Sequence, residues 1–165
     1  MKRGLSATTD SEVDLSGLDI IDMSNPSSPT LVGTTTAQGS LTDMRVVGNY
    51  AYIVEGYDAT HKFWVADVSK PSAPVYVASV TLPGAPINLE ISGHYAYVAQ
   101  NSGPDALAVI DISNPLNPKV VGSVATGSGS WSVAVNGKYA YVANYSASSI
   151  SVVDISNPVS PTVVN

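Results

Sequence analysis

The residues able to do chemistry fall where the chain's repeats differ from one another. Three segments, GNYAYIVE from Gly48, GHYAYVAQ from Gly93 and GKYAYVAN from Gly137, can be aligned on their glycines. Just ahead of them, one position then holds Asp43, Asn88 and Ser132, and two residues on stand Arg45, Glu90 and Ala134. Carboxylate and amide oxygens from Asp43 and Asn88 would suit a hard cation such as Ca²⁺, which prefers oxygen ligands. Zinc, which favours His and Cys, fits this set poorly. Glu90 could act as a general base, or pair with Arg45 in a purely structural ion-pair network. A second variable set, Glu55, Gln100 and Asn144, ends the same three segments. The loop after Glu55 carries Tyr57, Asp58 and His61, with Trp64 close behind. An imidazole can exchange protons near neutral pH, so His61 is a second candidate base; the plainer reading is an exposed loop histidine. Trp131 would either stack a ligand or pack between neighbouring sheets.

These positions are carried by a repeat. IDISNPLNP, Ile110 to Pro118, recurs as IDMSNPSSP from Ile21, ADVSKPSAP from Ala66 and VDISNPVSP from Val153. Its aspartates, Asp22, Asp67, Asp111 and Asp154, are 45, 44 and 43 residues apart. The glycines of the Tyr-Ala-Tyr segments keep the same step, at 45 and 44. Each period reads as four short strands, A to D. A tight turn at the glycine joins A to B. The Asp-x-Ser-x-Pro segment ends strand C, because proline cannot donate to a ladder, while the Asp and Ser bond nearby backbone N–H groups. Recurrence in every period marks that segment as architecture. The same holds for the Tyr-Ala-Tyr triplets, which are expected to pack between sheets. Four antiparallel strands per period, apolar on both faces, match the blades of a β-propeller.

Leu107 to Pro115, Pro118 to Ser123 and Val133 to Ala143 together resemble the LVIVD repeat, and the resemblance runs over about residues 18 to 165. It implies a β-propeller. It also implies a bacterial, often surface-associated or secreted setting, with little assigned chemistry.

The expected organisation is an N-terminal tail over residues 1–14 followed by repeats over 15–165, in units of about 15–40, 41–84, 85–128 and 129–165. The first unit has only strands C and D, so the expectation is about 3.5 blades, too few for a ring. The chain then either belongs to a longer polypeptide or closes as a homodimer. A six-bladed ring with strands exchanged at the junctions is favoured over a seven-bladed one. In such a ring the innermost strands line a central channel. Asp43, Asn88, Ser132, Arg45 and Glu90 would face it, with Glu55, Gln100, Asn144 and Trp131 at its mouth.

Composition excludes several functions. The formal net charge is −6, and no Lys/Arg cluster offers a nucleic acid or an anionic membrane a footing. There is no cysteine, so thiol chemistry and disulfides are ruled out. No signal peptide or apolar segment of membrane-spanning length is apparent, and no membrane insertion is expected. Catalytic motifs such as Gly-x-Ser-x-Gly and His-Glu-x-x-His are missing. The expected function is an interaction module for a small molecule, a protein or a glycan. The alternative is a Ca²⁺-dependent hydrolase of lactones, esters or phosphotriesters, by analogy with six-bladed propellers of that type. Its ligands would be Asp43 and Asn88, and its base Glu90 or His61.

Overall fold

Short strands apolar on both faces and two-residue turns determine the architecture. It is seen in a computed structural model that describes residues 4–6 (backbone), 17–36, 39–57, 59–103 and 106–164. Among these residues the secondary structure is all β. The first sheet holds β1 (Gly4–Ser6), β2 (Gly17–Asp22) and β3 (Thr30–Thr36). The second holds β4 (Leu41–Val47), β5 (Tyr50–Glu55), β6 (Lys62–Asp67) and β7 (Val75–Thr81). The third holds β8 (Pro86–Ser92), β9 (Tyr95–Gln100), β10 (Leu107–Asp111) and β11 (Lys119–Val124). The fourth holds β12 (Ser130–Asn136), β13 (Tyr139–Asn144), β14 (Ser149–Asp154) and β15 (Thr162–Val163). Every pairing is antiparallel between chain neighbours. These are the A–B–C–D units expected from the repeats.

The first sheet departs from expectation. It has three strands rather than two, because Gly4–Ser6 pairs with Ile21, Ile20 and Asp19. Those three residues lie within the expected tail; the rest of residues 1–16 lies outside the described residues.

The A–B turn works as its residues dictate. Val47 pairs with Tyr50 across Gly48-Asn49, and Gly48 has φ +59°. Positive φ at the first central residue alone is the pattern of a type II′ hairpin turn, which glycine adopts without a Cβ clash. The C–D turn is equally regular. In all four copies the aspartate accepts the N–H of the serine two residues on: Ser24 to Asp22, Ser69 to Asp67, Ser113 to Asp111 and Ser156 to Asp154, at 2.8–2.9 Å. Each proline then falls where no ladder donor is needed.

The sheets stack face to face, and the core lies in the seams between them. Between the second and third sheets, Tyr52, Val54, Phe63 and Val65 meet Leu89, Ala96, Val98 and Ile110. Between the third and fourth, Tyr97, Leu107 and Val109 meet Val133, Val142 and Val153. Leu18 of the first sheet meets Leu41, Ile53 and Ala66 of the second. The inner tyrosines of two triplets, Tyr52 and Tyr97, are thus core residues, as the repeat predicts.

Candidate functional site

The first strands of the three complete sheets, β4, β8 and β12, run side by side. Each is bulged near its start, after Leu41, Pro86 and Ser130, where two residues oppose one on the partner strand. The extra residue turns the next side chain along the sheet stack. That side chain is Asp43, Asn88 or Ser132, so the sequence alignment does place these three together.

What they do there is link sheets. Asp43 Oδ2 accepts Asn88 Nδ2 at 2.6 Å and the backbone N–H of Leu89 at 3.0 Å. Its Oδ1 accepts the N–H of Met44 and an Arg45 guanidinium N–H, both at 2.8 Å. Asn88 repeats the pattern one sheet on, where its Oδ1 accepts the N–H of Val133 at 2.9 Å and the Ser132 hydroxyl at 3.4 Å. Arg45 also reaches Glu90 Oε2, at 3.3 Å. Asp43 therefore receives four N–H donors, which matches the lone-pair capacity of a carboxylate. A cation would have to displace them. Among the described residues no group of three His, Cys, Asp or Glu is arranged to hold a metal. The sequence-level suggestion of Asp43 and Asn88 as Ca²⁺ ligands thus meets a hydrogen-bonded relay at the same atoms.

The second variable set differs from expectation. Glu55, Gln100 and Asn144 are buried rather than open to solvent, although Gln100 and Asn144 each border a cleft. They sit at the ends of β5, β9 and β13, where the chain enters from the preceding sheet. Gln100 Oε1 accepts the N–H of Gly84 at 2.8 Å. Asn144 Oδ1 accepts the hydroxyls of Ser130 and Thr126 at 2.9 and 3.1 Å, and its Nδ2 donates to Ser151 and Ser149. Gln100 and Asn144 each pin the D-to-A connection that packs over them. Glu55 Oε2 accepts the indole N–H of Trp64 at 2.6 Å. Trp64 in turn packs on Tyr76, whose phenol is pushed up to about 12 by burial and by the Glu55 charge.

His61 lies in the loop before β6 in left-handed backbone, φ 43°, with its carbonyl accepting the Leu82 N–H at 2.7 Å. It is Tyr57, rather than His61, that reaches the stack's inner strands; Asp58 falls outside the described residues. Tyr57 forms one wall of a cleft of about 550 Å³ at the head of β4, β8 and β12. Trp131 forms another, and Thr42, Asp43, Asn88 and Ser132 lie between. The sequence singles out Trp131 and Ser132, and marks the B–C loop that carries Tyr57 as a candidate pocket wall without separating Tyr57 from its neighbours. His94 is exposed in its hairpin turn, as its place in the repeat implies.

The LVIVD repeat profile matches residues 13–37, 38–81, 83–126 and 127–165, nearly the whole chain. The chain belongs to the LVIVD repeat family. Among curated proteins, none matches its sequence. Solved structures similar to this LVIVD chain include a functionally unknown protein from Desulfotomaculum acetoxidans, at 18% identity and a TM-score of 0.78, covering 98% of this chain and 54% of that one. A protein from Lactobacillus plantarum is 15% identical with a TM-score of 0.75, covering 90% of this chain and 50% of that one. These likenesses establish the fold. The LVIVD chain spans about half the length of either structure.

Proposed function

We propose that the chain is a self-assembling half-propeller that acts as a binding module. The observation that carries this reading is the open face of the fourth sheet. Tyr52 and Tyr97 are 4% and 3% exposed in their seams, whereas Tyr141, at the same register, is 39% exposed. An apolar sheet face of this kind is stable in water only with another layer over it. The half-length match to the two solved structures supports the same view. The hydrolase alternative gains nothing from the inner strands, where the Asp43 oxygens already serve as acceptors.

The surface such an assembly presents is the cleft walled by Tyr57 and Trp131. Its volume of about 550 Å³ falls in the usual range for ligand sites. Aromatic walls with hydroxyl and amide groups between them suit a small polar molecule, a glycan or a loop of another protein.

Closure into six or seven blades would require the first sheets of two copies to merge with other strands along the edge of β2. That edge is occupied by β1. Two copies with their four sheets intact would instead make a ring of eight, the upper end of the usual range.

Native mass spectrometry of the untagged chain tests the proposal. The expected species has twice the mass of the 17.0 kDa chain. A monomer at tens of micromolar would overturn it.

A further inference from the structure

The seams inside the chain use the same two faces each time. One sheet offers its Tyr52-type face, and the next sheet covers it with the opposite face. Among the described residues three such seams exist, and the first and fourth sheets are each left with one uncovered face. On the fourth sheet, Ile150 is 65% exposed, whereas Phe63 and Leu107 at the same register are 0% exposed. Trp131, Ala143, Tyr145 and Ile150 there border a groove of about 660 Å³. On the first sheet it is the opposite face that is open. Met23 is 41% exposed, against 5% and 4% for its counterparts Ile112 and Ile155. Leu31 is 63% exposed, against 36% and 39% for its counterparts Val120 and Val163, while its third counterpart, Tyr76, packs into the first seam. Ile21 is only half-buried, while its counterparts Ala66, Ile110 and Val153 are fully buried.

We infer that these two faces are each other's partners in a second copy of the chain: the fourth sheet of one chain docks on the first sheet of the other, head to tail, at two equivalent junctions. The inference rests on the assembly proposed above and names its surfaces. It continues an interface the chain already makes three times, with the same registers supplying the same kinds of side chain. A two-fold axis along the channel relates the two junctions, and two-fold closure is the commonest arrangement of soluble homo-oligomers. Pairing of two fourth sheets with each other would leave both first-sheet faces, with Met23 and Leu31, in water.

The test uses two full-length variants, Ile150→Glu and Leu31→Glu. Both residues are well exposed in the single chain, so a charge there spares the fold, which far-ultraviolet circular dichroism would verify. Head-to-tail docking uses both faces at each junction, so either variant alone disrupts both junctions. The dimer fraction should fall at least tenfold for each at a concentration where the unmodified chain is dimeric. When the two are mixed, one of them isotope-labelled, one intact junction remains. Native mass spectrometry should then detect the mixed dimer that neither forms with itself. Persistence of the Leu31→Glu homodimer would overturn the inference in favour of fourth sheets facing each other. Persistence of the Ile150→Glu homodimer would overturn it in favour of exchanged strands, since exchange replaces β14. Failure of the mixture to form a dimer would also overturn it. An unmodified chain that stays monomeric would instead sink the assembly reading itself.

Discussion

Asp43 shows how a residue of catalytic type can be fully committed to structure. Its carboxylate accepts four N–H groups, two of them from the next sheet. Removing it strips the Leu89 N–H of its partner at a partly buried seam, and hydrogen bonds to a charged acceptor are the stronger kind. Asp43→Ala should therefore cost about 2–3 kcal/mol in denaturant unfolding. Asn88→Ala should cost less, since Asn88 is a neutral acceptor for Val133. The double variant should fall short of the sum, because the two side chains share a bond and so couple. Treatment of the unmodified protein with a chelator should leave the midpoint unchanged. A drop on chelation, restored by Ca²⁺, would mean that the carboxylate holds a metal and the relay forms only without it.

The elements explain why sequence was informative in some places and not others. Strands β5, β9 and β13 follow directly from the Tyr-Ala-Tyr segments, because the turn glycine fixes one end and the continuous apolar run carries the strand to its polar last residue. The C–D turns follow from Asp-x-Ser-x-Pro for the same local reason. Strand β1 was not legible: Gly4-Leu5-Ser6 carries no repeat motif, and it is a strand only because the edge of β2 accepts it. The hydrogen-bonding roles of Gln100 and Asn144 were not legible, because variation between repeats does not by itself say what the variable residue contacts. Here it follows variation in the connections they hold, Gly84 in one case and Thr126 to Ser130 in the other. The C–D turns also carry a pH signature. Asp67 and Asp154 lie below the usual aspartate range chiefly through the hydroxyls of Ser69 and Ser156, and Asp111 chiefly through the Ser113 N–H. A depressed folded value means that each carboxylate stabilises the fold above the unfolded-chain value of about 3.9. That contribution is lost as pH falls through the lower folded values. Carboxyl-carbon NMR titration should find all three below about 3.9. Ordinary values would mean that these turns do not hold in solution.

At the scale of the whole molecule, the question is whether the seams stop at the chain ends. If the folded chain associates and the unfolded chain does not, association and folding are linked by mass action. Raising the protein concentration a hundredfold should then stabilise the folded dimer by about 2.7 kcal/mol, which follows from the logarithm of concentration alone. For a chain of this size that is a rise of a few degrees in thermal midpoint. Ile150→Glu separates this effect from intrinsic stability. The side chain is 65% exposed in the single chain, so the charge should leave the monomer's own stability within about 0.5 kcal/mol. Its midpoint should thus match that of the unmodified chain at low concentration and stay flat as concentration rises. Calorimetry at two concentrations on both proteins would decide the matter. Parallel rises would mean that the chain associates without burying the Ile150 face of the fourth sheet, as exchanged strands would allow. Two flat, coincident midpoints would mean that Tyr141 and Ile150 remain in water, so that the ring is completed neither by this chain nor through this face.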